Sequence, residues 1–242
     1  MKIILLLTIF LYNVSALQAK PLMSGLSQND IKIDARFSGT TLFLFGVRNL
    51  AGEIVVVIRG PKQDYIVRKK ENVLGMWLNR KQMKFKNIDG FYAVYSSVDV
   101  SEIEDLILSN LNIGLENIIF NYEGKAYIEE IDYFKKAILA NKFNKKLYME
   151  GFENIDFMGD ALFKTQMSFS KHIPEGEYNA EIYLIDGKNL VGVQSIPISV
   201  SKTGFEAEIY NFAHQNKILY GILCVLSAIL AGWFANMIFW KV

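Results

Sequence analysis

Few side chains in this sequence are able to do covalent or metal chemistry. The 242 residues carry two histidines, His172 and His214, and one cysteine, Cys224. A single thiol forms neither an intramolecular disulfide nor a zinc site that needs two thiolates, and two isolated imidazoles supply little general-base capacity. Nucleophilic catalysis needs a hydroxyl or thiol beside a base that a third group orients. Neither histidine has such a partner at recognisable spacing: His172 precedes the turn at Pro174, and His214 precedes a long apolar run. The carboxylate pairs Glu102/Glu104 and Glu129/Glu130 fall on expected wet helix faces, without the burial that tunes an acid/base pair. Phosphate-loop, dinucleotide, calcium-loop and zinc-protease spacings are missing. The expectation is a chain with no catalytic residue, no cofactor and no metal.

Charge is more informative than nucleophiles. The net charge is only +1, so no nucleic-acid partner is expected. Locally the balance is uneven: residues 59–86 sum to +7, and residues 99–132 to −8. The plain reading is that basic strands meet acidic helices or that both are solvated. The sharper reading makes Arg59, Arg68, Lys69, Lys70, Arg80 and Lys81, with Trp77 as an anchor, a surface for an anionic ligand, headgroup or acidic partner.

Both ends of the chain read as membrane-related. Residues 1–19 start with Lys2, continue through the apolar run Ile3 to Tyr12 and close on small residues, the pattern of a secretory signal cut after Ala16 or Ala19, or retained as an N-terminal anchor. Ile218 to Trp240 is 23 residues without a charge, long enough at about 1.5 Å per residue to cross a hydrocarbon core of about 30 Å. Tyr220 and Trp240 are placed as interfacial aromatics. Within the run, Ser227, Ala231 and Ala235 fall at spacing four and Ala228 with Gly232 adds a second small pair, a face on which a partner helix or a second copy could pack. With the signal setting the orientation, residues 20–217 are expected in the periplasm of an inner-membrane, single-pass protein.

The exported portion reads as mainly β with a helical insertion, an α+β chain. A β module is expected over 20–98: Ile31 to Phe37 alternates, Thr41 to Val47 follows, and Ile54 to Ile58 is a β-branched run suited to the middle of a sheet. A helical segment is expected over 99–147. It opens on the capping-box pattern Ser101-Glu102-Ile103-Glu104, with a stripe of Ile103, Leu106, Ile107 and Leu111, and continues in a second helix from about Gly124 to Ala140. Strands return over 148–210, with the hairpin signal Asp186-Gly187, and the stretch from Leu162 to Val200 has immunoglobulin-like β-sandwich character.

From Ile31 onward the chain resembles an alphaproteobacterial family of transmembrane proteins of unknown function. The resemblance rests on Phe37-Ser38-Gly39, Val56-Val57-Ile58-Arg59-Gly60-Pro61, Val67-Arg68-Lys69-Lys70 and Gly75-Met76-Trp77-Leu78-Asn79. It continues through Pro174-Glu175-Gly176-Glu177-Tyr178, Tyr210-Asn211-Phe212-Ala213-His214 and Ala231-Gly232-Trp233. It implies an envelope protein anchored by its C-terminal helix and supplies no catalytic residue. Where relatives tend to have Pro just before that helix, this chain has Lys217. The expected role is a non-enzymatic accessory or interaction subunit of a membrane assembly, with the bilayer and a membrane protein or a second copy as partners. The alternatives are a periplasmic binding module for an anionic ligand through residues 59–86, and an enzyme whose site spacing does not reveal.

Overall fold

A computed structural model of the chain describes residues 20–124 and 126–239. The expected signal at 1–19, Lys125 and the interfacial Trp240 lie outside the described residues.

Thirteen strands and four helices are described. The strands are β1 (Leu22–Leu26), β2 (Asp30–Ile33), β3 (Gly39–Arg48), β4 (Glu53–Arg59), β5 (Lys62–Val73), β6 (Met76–Asp89), β7 (Tyr92–Ser96), β8 (Asn121–Glu123), β9 (Tyr148–Asn154), β10 (Asp156–Met158), β11 (Leu162–Ser170), β12 (Gly176–Asp186) and β13 (Asn189–Lys202). The helices are α1 (Asp105–Asn110), α2 (Ile128–Asn144), α3 (Phe205–Gln215) and α4 (Lys217–Phe239).

Periodicity sets where each strand lies. In β3 and β11 every second residue is buried, with Leu42, Leu44, Phe163, Met167 and Phe169 inward. These strands form a one-sided sheet in the order β1-β3-β11-β10. Gly46 permits the close packing: a Cβ there would lie 2.1 Å from the Phe163 ring. The apolar run Ile54 to Ile58 in β4 is fully buried, since its strand is internal to a six-stranded sheet, β2-β13-β12-β4-β7-β9. Burying each such side chain contributes about 1.5–3 kcal/mol. The side chains of the two sheets share one core, to which Ile103, Leu108, Ile113 and Ile118 of the helical segment also belong. Both sheets combine strands from before and after the helical segment, so the 20–98 and 148–210 runs build one sandwich together. Two pairings, β2 with β13 and β7 with β9, are parallel, whereas the immunoglobulin pattern is built from antiparallel sheets.

The third sheet is a long hairpin, β5-β6, edged by β8. It extends the β4-β7 ladder without a break: Arg59 faces Tyr92, the Gly60 amide donates to the Phe91 carbonyl at 2.8 Å, the Gly90 amide donates to the Pro61 carbonyl at 2.8 Å, and Lys62 faces Asp89. Only short stretches of it, Tyr65 to Val67 and Met76 to Leu78, are legible as strands, because charged residues interrupt the alternation elsewhere. Helix α2 packs Phe134 and Ile138 onto Met83, Phe85 and Ile88 at its base.

The helical segment departs from expectation at its start. Ser101 does not cap a helix; its amide and hydroxyl both donate to the Asp99 carboxylate, at 2.9 and 2.7 Å. An ionised acceptor two residues upstream outcompetes the box and leaves a 3₁₀ turn at Val100–Glu102. The helix proper starts at Asp105, and its buried residue is Leu108, while Leu106 is 66% exposed. The second helix runs four residues later than expected at each end, and Tyr127 and Ile128 face solvent.

Candidate interaction surface

The basic residues singled out in the sequence separate into three settings. Arg59 belongs to the six-stranded sheet. Its guanidinium pairs with Glu181 and donates to the Leu111 and Asn112 carbonyls at 2.9 and 3.1 Å, fastening the helical segment to β4. Its capacity is spent inside the fold. On β5, side chains alternate between the α2-facing side and solvent. Lys69 faces inward, 3.5 Å from Glu71 and 5.2 Å from the Tyr133 ring centre. Opposite it, Lys81 pairs with Glu130 of α2, which raises the lysine pKa. Lys86 pairs likewise with Glu123, whose carboxyl is lowered by the hydrogen bond from Lys86. Basic strands therefore do meet the acidic segment. Arg68, Lys70 and Arg80 are exposed, and among the described residues they pair with no carboxylate. Trp77 is near the hairpin tip and 68% exposed.

At the hairpin base lies a cluster that sequence reasoning missed. Lys142 of α2 is 1% exposed, and its ammonium donates to the Tyr65 hydroxyl at 2.7 Å and to the Asp89 and Gly90 carbonyls at 2.9 Å each. It sits 4.5 and 5.1 Å from the Tyr65 and Tyr148 ring centres. Burial lowers its pKa to about 8, partly opposed by Asp89. Burial likewise raises the Tyr65 and Tyr148 hydroxyls. The Tyr148 hydroxyl also donates to the Asp89 carbonyl at 2.9 Å, and Lys62 lies 2.7 Å from the Asp89 carboxylate. These bonds tie α2, β5, β9 and the ribbon joint together. The available signal was positional: Lys142 falls four residues after Ile138 and eight after Phe134, on the buried stripe.

Two clefts flank this cluster. One, of about 510 Å³, is lined by Arg59, Lys62, Asp89, Tyr92, Glu181 and Tyr183 among others; burial pushes the Tyr92 and Tyr183 hydroxyls up to about 12. The other, of about 850 Å³, has Phe91, Tyr148 and Phe169 in its wall, with Lys145, Lys146, Lys171, His172 and Glu153 also lining it. Among the described residues the carboxyls with lowered pKa are Asp99 and Glu123, both on the surface. His214 is remote from His172 in sequence and bonds through Nδ1 to the Tyr210 carbonyl within α3.

Helix α4 stands clear of the sandwich. Its span Lys217–Met237 has a mean hydropathy of 2.2 and no buried residue. Ser227, Ala228, Ala231, Gly232 and Ala235 are all exposed along it, and the Ser227 hydroxyl donates back to the Cys224 carbonyl at 2.8 Å. A family model described as "Putative transmembrane protein (Alph_Pro_TM)" matches residues 21–241. The chain belongs to this family. As an Alph_Pro_TM member it is a membrane protein, and among the described residues it has one candidate spanning helix, toward the C-terminus. The match takes in the sandwich, the hairpin, α3 and α4 as one unit. No curated protein matches the chain.

Proposed function

We propose that this Alph_Pro_TM protein is a single-pass inner-membrane protein whose sandwich lies in the periplasm and acts as a non-enzymatic interaction subunit of a membrane assembly. The observation that carries this reading is the complete exposure of a 21-residue apolar span that has no charge after its first residue, Lys217. A helix of that composition exposed along its whole length needs lipid or another helix around it. Its small residues offer a packing face for a partner helix or a second copy, and Gly232, without a side chain, would allow the closest approach. Tyr148 and Lys142 support a structural role, since their polar atoms are engaged in bonds that hold elements together.

Two measurements test the reading. An alkaline phosphatase reporter fused after Lys202 should be active outside the cytosol; activity confined to a cytosolic reporter at that site sinks the orientation. In mild detergent the full chain should retain a membrane-protein partner or a second copy, and Gly232→Leu should release it without unfolding the sandwich. Capture of an anionic ligand is the second reading, favoured by the three lysines lining the 850 Å³ cleft against Glu153 alone. The basic hairpin favours it less, because Lys69 and Lys81 are paired.

A further inference from the structure

The β5-β6 hairpin ends in an exposed apolar group. Leu74 is 95% exposed, Trp77 68%, Met76 61% and Leu78 45%. The two turn residues, Leu74 and Gly75, have φ of 51° and 84°, the left-handed pair of a tight hairpin that favours Asn, Asp or Gly. A leucine there is unfavourable for the backbone and for its side chain in water alike. Four to six residues back from the turn stand Arg68, Lys70 and Arg80, three exposed cations with no carboxylate partner among the described residues. An apolar wedge with a basic collar complements a surface that is apolar inside and anionic at its rim.

Topology aims that wedge. Val200 of β13 faces Gly176 of β12, and Arg59 of β4 faces Asn179 of the same strand. The end of β13 and the start of the ribbon therefore lie at one end of the six-stranded sheet. Pro61 packs against Gly176, where an added Cβ would lie 2.9 Å from the proline Cβ. From that end the chain reaches α4 through the 11-residue α3, about 16 Å of helix. The 12-residue β5 leaves from the same end and spans about 40 Å, more than that stalk.

We propose that the tip Leu74–Leu78 inserts into the interface of the same bilayer that α4 crosses, with Arg68, Lys70 and Arg80 on anionic headgroups, so that the sandwich is held at two points. The inference rests on α4 being a membrane span but not on which side the sandwich occupies. Alone, such a tip binds weakly; the tether supplies the high local concentration that makes it effective.

The test uses the full chain with Cys224→Ser and Leu74→Cys, an environment-sensitive fluorophore on the new thiol, and reconstitution into phosphatidylcholine vesicles with or without phosphatidylglycerol. The label should move to an apolar environment and be quenched by spin-labelled lipid in the anionic vesicles. Arg68→Gln, Lys70→Gln and Arg80→Gln together should lower the inserted-to-free ratio roughly a hundredfold. The same label on Asn189→Cys, at the opposite end of the sheet, should stay in water. A label at position 74 that stays wet in both vesicles overturns the proposal. So does one that dries only when a co-purified membrane protein is added back, which assigns the tip to a protein partner. Either result leaves the reporter at Lys202 and the co-purification unaffected, so failure here is distinct from failure of the interaction-subunit reading.

Discussion

Replacing Lys142 with methionine probes the joint on which the hairpin is mounted. Methionine keeps most of the apolar stem but withdraws all three hydrogens from the Tyr65, Asp89 and Gly90 oxygens. The Asp89 carbonyl keeps the Tyr148 hydroxyl, while the Gly90 carbonyl loses its donor, at about 1–3 kcal/mol. Relief from burying a charge opposes that loss, so the discriminating quantity is the pH dependence. Burial holds the folded-state pKa of Lys142 at about 8 against an ordinary 10.5, with Asp89 pulling it up and Lys145 pushing it down. Above pH 8 the unfolded chain therefore keeps a proton that the folded chain has released, and stability rises with pH. The stabilisation is full only above 10.5 and is lost as pH falls through 8. Between pH 7 and 9.5 the wild-type chain should gain about 2 kcal/mol relative to Lys142→Met. The neighbouring Tyr65 and Tyr148 act in the opposite direction, but only above the ordinary tyrosine value of 10, which fixes the upper limit of the experiment. Urea unfolding of both full-length proteins in mild detergent, followed by circular dichroism, gives the difference directly. A difference that does not change across this pH range would refute the dominance of desolvation and show that the three oxygens fully compensate for lost water.

Three further perturbations follow from the packing. Gly46→Ala places a methyl 2.1 Å from the Phe163 ring and should cost about 1–3 kcal/mol, read as a lower thermal midpoint; an unchanged midpoint would show that the sheet can shift there. Arg59→Ala removes the bond to Glu181 and two carbonyl contacts at a site only partly exposed and should cost about 1–3 kcal/mol, with faster proteolysis near Leu111. Ending the chain after Lys188 deletes β13, which lies between β2 and β12, and should abolish folding, whereas ending it after Asn211 should leave a folded soluble sandwich.

How much was legible in the sequence depended on how strongly each element was patterned. The β-branched run of β4, the alternation of β11 and the Gly187 turn between β12 and β13 appear where periodicity puts them, because burial on one or both faces leaves a clear apolar record. Helix α4 was equally legible, since lipid demands an unbroken run. The hairpin was not: β5 turns Lys62, Asp64, Arg68 and Lys70 to solvent, and its inner face is half polar, with Gln63, Lys69 and Glu71 beside Tyr65, Val67 and Val73. Its partner α2 was found but shifted, since Tyr127 and Ile128 extend the apolar pattern beyond the buried stripe. Lys142 was hidden by its type, because a lysine on a buried stripe reads as an interruption until three oxygens are found around it. The six cations taken as one surface proved to be separate groups, because Arg59 belongs to another sheet, strand alternation turns Lys69 inward between Arg68 and Lys70, and the register shift between Lys69 and Lys70 gives β6 an extra residue at Arg80 beside the paired Lys81.

That shift and the joint below it give the hairpin two mechanical halves. Below Lys69, the ribbon is clamped: Met83, Phe85 and Ile88 lie under α2, and Lys142 fixes the Asp89 and Gly90 carbonyls. The joint itself tolerates no side chain, since a Cβ on Gly60 would lie 2.8 Å from the Phe91 amide nitrogen and one on Gly90 would lie 2.8 Å from the Pro61 carbonyl. Above Lys69, the ladder continues as two strands whose side chains are mostly exposed. A two-stranded ribbon has little stability of its own in water, so rigidity at the base is what lets the free half keep a direction. A buried lysine and two crowded glycines serve a purpose there that a flexible linker could not: they transmit the orientation of the six-stranded sheet to Leu74 and Trp77.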